Sequence, residues 1–277
     1  MKIEFEFGGV RFYVDSDDGL PIGISVEFGG SQPNHFGAPK ATRDPLKLGG
    51  FVGDTRQGGG CNVDVIEMVP HCNGTHTETV GHIVDQTVGI GTHHLGLFST
   101  ATLVQVNPES AVEARKLGES YRPALMDSDQ VISADHLKLA LEALDLPMTD
   151  SLVVSTGSDV AKKAAEYSEE NQPPFFTVEA MELIVNRGFK HLLVDFPSVD
   201  RMYDDGLLTN HHLFWNVPEG THDLKDDSLK DKTITEMVFV SDEVKSGMYL
   251  LNLQLPSFNT DAAPSRPILF QPKKVDG

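Results

Sequence analysis

The chain has few cysteines and few basic residues for its length. Only two cysteines, Cys61 and Cys72, occur in 277 residues, which is too few for a scaffold held together by disulfides. A bridge between the two is an alternative to the free thiols expected in a reducing compartment. Lysine and arginine number 22 against 41 acidic residues, so the net charge is −19. Because a field of that sign repels phosphate backbones and anionic lipids, we expect no nucleic-acid partner.

Long apolar runs are also absent. No stretch reaches the about 18 to 20 consecutive apolar residues that a membrane helix needs. The first residues alternate charged and apolar side chains, unlike the continuous apolar centre of a signal peptide. We therefore expect a cytoplasmic protein without membrane contact. Hydrophobic residues make up 39% of the chain, which is typical of a globular protein. A chain of this length can bury about 70–75% of its unfolded surface.

The N-terminal part is predicted to be β-rich. Residues 3–7 and 10–14 alternate apolar and polar side chains on either side of Gly8-Gly9. This pattern is typical of a β-hairpin, because glycine tolerates the positive φ angles of a tight turn. Residues 24–28 alternate in the same way and predict a third strand. Residues 29–60 are rich in glycine, proline and polar side chains and predict long loops.

The middle of the chain changes to an α/β pattern. Ser133 is a predicted N-cap of a helix to residue 144, Ser158 of a helix to residue 167, and Thr177 of a helix that stops at Gly188. Short apolar runs predict buried strands at residues 152–154, 192–196, 238–240 and 248–255. Because strands and helices alternate between residues 152 and 196, we expect parallel pairing there and a single α/β domain over residues 1–277.

Metal-ligating side chains concentrate in one short segment. Cys72, His76, Glu78 and His82 lie within eleven residues and all have even numbers. On an extended segment they would share one side, and His71 would point away. Thiolate, imidazole and carboxylate are ligands for divalent transition metals such as zinc. The segment therefore predicts a metal site.

The run Cys72-Asn73-Gly74-Thr75-His76-Thr77-Glu78 resembles the His-x-Gly-Thr-His-x-Asp signature of the cyclase family, which includes bacterial kynurenine formamidase and isatin hydrolase. The resemblance implies that His76 and Glu78 bind metal, with Glu78 replacing the family's aspartate. Cys72 occupies the place of the first histidine, and His71 is the alternative ligand there. His82 follows His76 by six residues and matches the family's general acid/base.

Other segments extend the resemblance. Residues 51–55 are similar to a Pro-Gly-Asp-Thr stretch of the family, and residues 178–200 to its Glu-Ala helix followed by Asp-x-Pro-Ser-Val-Asp. The family carries a further histidine and glutamate ligand downstream. The best matches are His211 and Glu236, with His212 as the alternative to His211. The pair His93-His94 is predicted to be a loop or supporting pair, not a ligand pair.

The resemblance also implies a fold and an activity. The expected fold is an α/β, swivelling β/β/α-type single domain, with a β-rich N-terminal part (residues 1–30) and a central mixed sheet or barrel flanked by helices. The expected activity is metal-dependent hydrolysis of an amide or cyclic amide C–N bond in a small molecule. Metal-activated water would attack, with His82 as general acid/base. The expected cofactor is one or two zinc ions, with manganese as the alternative, in a homodimer or higher homo-oligomer. The alternative function is non-catalytic binding of a metal or small molecule on the same scaffold.

Overall fold

The computed structural model describes residues 1–93 and 95–275, so His94 lies outside the described part. Within that part the strands are β1 Lys2–Phe7, β2 Val10–Asp15, β3 Leu20–Pro21, β4 Thr42–Pro45, β5 Lys47–Leu48, β6 Phe51–Val52, β7 Asp64–Glu67, β8 His76–Glu78, β9 Ser99–Gln105, β10 Glu109–Ser110, β11 Gln130–Ile132, β12 Ser151–Ser155, β13 Phe175–Phe176, β14 His191–Val194, β15 Thr233–Glu236, β16 Gly247–Asn252, β17 Ala262–Pro264, β18 Ile268–Phe270 and β19 Lys273–Lys274.

Helices are fewer than strands. The α-helices are α1 Pro70–Asn73, α2 Ala111–Lys116, α3 Ala134–Glu142, α4 Val178–Asn186 and α5 Thr209–Trp215. Single 3₁₀ turns occur at Thr55–Gln57, Val80–His82, Ile90–Thr92 and Val160–Ala164. In the residues that the structure describes, no helix combines the length and the apolar character that crossing a membrane requires.

A mixed nine-stranded sheet forms the centre of the fold, in the order β17-β8-β15-β14-β12-β9-β16-β18-β3. Strands β9, β12, β14 and β15 pair in parallel, and the remaining pairs of this sheet are antiparallel. Every residue of β12 and β14 is buried, as expected for parallel strands that are covered on both faces. The predicted mixed central sheet flanked by helices is confirmed.

Helix caps account for two of the predicted helices. The Ser133 hydroxyl accepts a hydrogen bond from the amide of His136, and the Thr177 hydroxyl accepts one from the amide of Ala180. Each cap satisfies an amide that the first turn of a helix leaves without a partner. Gly188 follows the end of α4 with a φ of 81°, a conformation that favours glycine.

The N-terminal hairpin forms as predicted, but the third strand does not. Gly8 and Gly9 have φ angles of 57° and 76° and join β1 to β2. Residues 24–28 form no strand. The amide of Ile24 donates to the Thr75 hydroxyl at 2.8 Å. The only strand in this region is β3 at Leu20–Pro21.

Two further element predictions are wrong. Residues 160–164 form a 3₁₀ turn capped by Asp159, instead of a long helix from Ser158. The Lys162 ammonium is anchored to three oxygens, among them a carboxylate oxygen of Asp195 at 2.8 Å, which holds the chain close to the sheet. Residues 238–240 form no regular strand, because Met237 has a φ of 54° and turns the backbone out of β15.

The fold brings several strand ends to one edge. The parallel strands β14 and β15 end at Val194 and Glu236. Strand β8 runs antiparallel to β15, so it begins at that same edge with His76 opposite Glu236. Ligand sites of α/β proteins commonly lie beyond the carboxyl ends of parallel strands. The edge therefore places residues 195–215 beside the polar segment that begins at His71.

Candidate metal centre

Two predicted ligands lie on β8. His76 and Glu78 are fully buried and point to one face of the strand, while Thr77 points to the other. The His76 Nδ1 atom lies 3.0 Å from the carbonyl oxygen of Gly74 and therefore carries the proton that it donates. The Nε2 atom then faces Glu236, 3.3 Å from Oε2, without a hydrogen-bond partner.

His211 reaches the same point from helix α5. Its Nε2 atom lies 2.9 Å from Oε1 of Glu78 and 3.9 Å from Oε1 of Glu236. His212 points elsewhere, with Nδ1 3.1 Å from the carbonyl oxygen of Val217. Both residues lie on helix α5. Of the two rings, only that of His211 contacts the cluster through Glu78.

Asp200 sets the orientation of the His211 ring. Its Oδ2 atom lies 2.5 Å from His211 Nδ1 and accepts the His211 amide, while Oδ1 accepts the Asn210 amide and the Tyr121 hydroxyl. A carboxylate behind an imidazole fixes its tautomer and makes the far nitrogen a better metal ligand. The sequence comparison includes Asp200 only as the end of the Asp-x-Pro-Ser-Val-Asp segment and assigns it no role at the site.

The segment before β8 is helical, which changes the geometry expected there. Pro70–Asn73 forms one helical turn, so alternation by sequence parity does not apply to His71 and Cys72. The expectation that His71 points away is wrong, because its Nδ1 atom lies 3.0 Å from Oε2 of Glu78. Cys72 is a buried free thiol. Burial and the nearby Glu236 carboxylate raise its pKa, which disfavours the thiolate in the absence of a cation.

His82 lies on the outer side of the cluster in a 3₁₀ turn. Its ring stacks on that of His71 with centroids 4.3 Å apart. The Asp261 Oδ2 atom lies 2.8 Å from His71 Nε2 and 3.4 Å from His82 Nδ1. Asp261 precedes β17, which pairs with β8. Sequence reasoning missed Asp261, since it stands 190 residues after His71 and in no motif that was recognised.

The electrostatics of the cluster are those of closely packed opposite charges. Burial opposes ionisation of Glu78, but the neighbouring histidines outweigh it and hold the pKa of that carboxyl well below its usual range. At His211, burial alone would lower the pKa. The Glu78 and Asp200 carboxylates have the larger effect and raise this pKa well above the ordinary value. At His71, burial again lowers the pKa, but the contacts with Asp261 and Glu78 have the larger effect and raise it to about 10. Protons on the rings therefore balance the carboxylates when no cation is bound.

The residues present fit a divalent cation. Among residues 1–93 and 95–275, three sets of ligand atoms lie within 4.8 Å of one another, and Cys72 belongs to none of them. The sets are His71, His76 and Glu78; Glu78, His82 and His211; and His71, His82 and Asp261. His76 Nε2 is buried without a hydrogen bond, and Glu78 Oε2 has only its 3.0 Å ion pair with His71, although buried polar atoms are usually paired. A cation between an imidazole nitrogen and a carboxylate would satisfy both atoms.

A cavity of about 270 Å³ opens beside the cluster. His71, Cys72, His82, His211 and Glu236 line this cavity. Its wall also includes apolar side chains and the buried residues His35 and Arg201. The candidate acid/base His82 therefore shares one small space with several of the candidate ligands.

Comparisons with known proteins agree with this fold. Residues 22–201 match the Cyclase family model, described as "Putative cyclase". No curated protein sequence matches. A predicted metal-dependent hydrolase from Bacillus stearothermophilus is 17% identical, with 91% of this chain and 97% of that chain covered and a TM-score of 0.56.

Two solved isatin hydrolases are similar as well. One, bound to the product analogue thioisatinate, is 14% identical, with 93% of this chain and 94% of that chain covered and a TM-score of 0.60. The other, isatin hydrolase A from Labrenzia aggregata bound to benzyl benzoate, is 12% identical, with 92% and 94% covered and a TM-score of 0.58. At these identities the likeness shows a shared fold, which confirms the predicted fold class.

Proposed function

The chain belongs to the cyclase family, and on that premise we propose that it is a metal-dependent hydrolase that cleaves an amide or cyclic amide C–N bond in a small molecule. One observation carries the proposal. Buried His76 Nε2 faces a carboxylate oxygen of Glu236 at 3.3 Å without a hydrogen bond, beside a cavity large enough for a small substrate. A cation bound by both atoms would explain why the buried nitrogen lacks a hydrogen bond.

The proposed ligands are His71, His76, Glu78, His211 and Glu236, with the Cys72 thiol as the alternative to His71. The contact between His71 and Glu78 supports the imidazole over the thiol. Nitrogen and oxygen ligands suit zinc and also manganese. When bound, a divalent cation would supply a Lewis acid that polarises a carbonyl group and lowers the pKa of water.

His82 is the proposed general acid/base. It lines the cavity, and its Nδ1 atom faces the Asp261 carboxylate at 3.4 Å. Because Nδ1 faces the Asp261 carboxylate, Nε2 is the nitrogen left to exchange a proton with water or with the leaving amine. Histidine is the side chain used most often to transfer a proton to or from a reacting group. No serine or cysteine nucleophile is needed.

The fold also supports exclusion of bulk water from the reacting groups. His76, Glu78, His211 and Glu236 are almost completely buried, while His71 and His82 keep about a quarter of their side-chain surface exposed. The four buried side chains are therefore shielded from bulk water, while the two outer rings remain accessible. An electrostatic interaction with a polarised carbonyl is stronger in such a site than in water.

The test is a hydrolysis assay with defined metal content. The full chain is treated with a chelator, dialysed, and reloaded with Zn²⁺ or Mn²⁺. It is then assayed on a panel of N-formyl arylamines and cyclic amides. We expect turnover that requires the metal and is lost with chelator. Tight metal binding without turnover of any compound would instead support a metal-binding protein on the same scaffold.

A further inference from the structure

Three side chains form a second group of possible ligands on the outer side of the candidate metal centre. This outer group is His71, His82 and Asp261, and its ligand atoms lie within 4.8 Å of one another. The Asp261 Oδ2 atom faces both rings, at 2.8 Å from His71 Nε2 and 3.4 Å from His82 Nδ1. The three side chains are 26%, 28% and 38% exposed, so a small ion can reach the group from solvent.

The contacts within the outer group leave two of its members with ligand capacity. The distance of 3.4 Å between His82 Nδ1 and Asp261 is longer than an ordinary hydrogen bond. The hydrogen bond and the two ion pairs of the Asp261 carboxylate all use Oδ2, which leaves Oδ1 for a further bond. Imidazole nitrogens and carboxylate oxygens are both ligands that zinc accepts.

Thr79 fixes the positions of Asp261 and His82 relative to each other. The Thr79 amide donates to the carbonyl oxygen of Asp261 at 3.0 Å, and the His82 amide donates to the carbonyl oxygen of Thr79 at 3.0 Å. Thr79 itself is completely buried. The backbones of two outer ligands are therefore attached to one rigid point beside β8. Ligands that are placed in advance bind an ion without a rearrangement of the chain.

Glu78 stands behind the His71 ring in the way that Asp200 stands behind His211. His71 Nδ1 lies 3.0 Å from Oε2 of Glu78, while Nε2 faces Asp261. A carboxylate on one nitrogen of an imidazole makes the other nitrogen a better metal ligand. His71 can thus serve the inner ligands through Nδ1 or the outer group through Nε2. A neutral ring offers only one nitrogen at a time, because the other carries the proton.

We propose that His71, His82 and Asp261 form a second, weaker zinc site, and that its occupation inhibits hydrolysis. Two nitrogens, one oxygen and a water complete the tetrahedral coordination typical of zinc. The net charge of −19 attracts cations to the protein. We expect weaker binding than in the inner site, because the outer group is more exposed and has fewer ligands. The inhibition rests on the proposed hydrolase function, whereas the zinc site does not.

The outer ion would act on both rings of the group. Zinc at Nδ1 of His82 leaves the proton of the neutral ring on Nε2, so that this nitrogen no longer accepts a proton from water. Zinc at Nε2 of His71 likewise withdraws Nδ1 from the inner site. The inner ion would keep four proposed ligands, namely His76, Glu78, His211 and Glu236. Turnover should therefore fall while the inner ion stays bound.

Calorimetric titration with Zn²⁺ tests the outer site without a substrate. The full chain is freed of metal with a chelator, dialysed and titrated. We expect a tight and a weaker class of one ion each. Asp261→Asn and His82→Asn should each lose the weaker class and keep the tight one, because each removes one outer ligand. The control Asp18→Asn should keep both classes, since Asp18 is an exposed carboxylate that pairs with Lys273.

The titration can contradict the site in two ways. A single zinc ion per chain in the unmodified protein would exclude a second site. A weaker class that survives in either Asp261→Asn or His82→Asn would place the second ion on other surface side chains. Both results would overturn the proposal.

Inhibition is measured with whichever amide of the panel is hydrolysed fastest. As the weaker class fills, we expect kcat to fall by about 10²- to 10⁴-fold, the contribution of general acid/base catalysis. Dialysis to one zinc ion per chain should restore it. The residual activity of Asp261→Asn should not respond to excess zinc. Unchanged kcat in the unmodified protein with both classes filled would contradict the inhibitory role.

The outer site and the hydrolase function fail separately. If amides are hydrolysed and the titration shows one zinc ion per chain, the outer site is wrong and the hydrolase function stands. If two classes of zinc respond to the variants as expected and no amide is hydrolysed, the outer site stands and the hydrolase function is wrong.

Discussion

The Nδ1 atom of His71 lies 3.0 Å from Oε2 of Glu78. This contact places an imidazole where the family's signature has its first histidine, although the residue at that sequence position is Cys72. The helical turn Pro70–Asn73 makes it possible, since a turn rotates successive side chains by far less than the half-turn of a strand. We therefore predict that His71, and not Cys72, is the ligand in this part of the site.

Metal content should distinguish these two neighbours. We expect His71→Ala to weaken zinc binding by more than about 100-fold, because even supporting residues behind a ligand contribute about 10- to 100-fold. Cys72→Ser should bind zinc nearly as well as the unmodified protein. Elemental analysis after dialysis, followed by competition with a chelating dye, measures both. Loss of zinc in Cys72→Ser with full retention in His71→Ala would assign the thiol as the ligand.

Replacement of His82 should separate catalysis from metal binding. His82→Asn removes the proton-exchanging nitrogen while the ligands His76, Glu78 and His211 stay in place. We expect unchanged metal content and a kcat lower by about 10²- to 10⁴-fold, the usual contribution of general acid/base catalysis. Steady-state kinetics and elemental analysis of the same sample provide the measurement. Unchanged turnover would exclude His82 from proton transfer.

Asp261 should matter through the two rings that it contacts. Asp261→Asn keeps the shape of the side chain but removes the charge that faces His71 and His82. Outer residues that orient such rings typically contribute about 10- to 100-fold to metal affinity or activity. We expect a loss of this size in kcat, measured on protein with confirmed metal content.

A matched control is Asp223→Asn, because Asp223 is an exposed carboxylate that pairs only with Lys225 at 3.6 Å among the contacts described. This variant should leave kcat unchanged. If Asp223→Asn lowered kcat as much as Asp261→Asn does, the effect would reflect the overall charge of the protein. Asp261 would then have no specific role in orienting the rings.

The N-terminal hairpin and the helix caps were predictable because they depend on local chemistry. Ser133 and Thr177 satisfy amides a few residues away, and the hairpin at Gly8-Gly9 depends on backbone freedom within the turn itself. Residues 24–28 alternate as a strand should, yet they form none, and the amide of Ile24 donates to the side chain of distant Thr75. Such a tertiary contact has no signature in a short window of sequence.

The residues of the site also fall into those that local sequence predicts and those that depend on tertiary contacts. His76 and Glu78 share a face because they lie on a strand, as parity indicates. The alternation of side chains along a strand gives the wrong direction for His71, because Pro70 begins a helical turn there. Asp261 could not be recognised from spacing, because only the pairing of β17 with β8 brings it to His71 and His82.

His191 is a buried histidine outside the cluster, at the start of β14. Its Nδ1 atom lies 2.9 Å from the Thr233 hydroxyl on the neighbouring strand. Burial lowers its pKa to about 4, against about 6.5 in an unfolded chain. Above pH 6.5 both states hold the ring neutral. Below it only the unfolded state takes up the proton, so the folded state loses stability as the pH falls from 6.5 to 4.

We therefore expect His191→Gln to be less sensitive to acid than the unmodified protein. Between pH 6.5 and 4 the titration of His191 should lower the free energy of unfolding by about 3 kcal/mol, since each pKa unit corresponds to about 1.4 kcal/mol. Glutamine does not titrate and can still hydrogen-bond Thr233, so the variant should lack this part of the loss. Urea unfolding at pH 7 and pH 4.5 measures the difference, with chelator present so that metal release does not contribute. Equal losses in the two proteins would show that His191 takes up its proton in the folded state as readily as in the unfolded one.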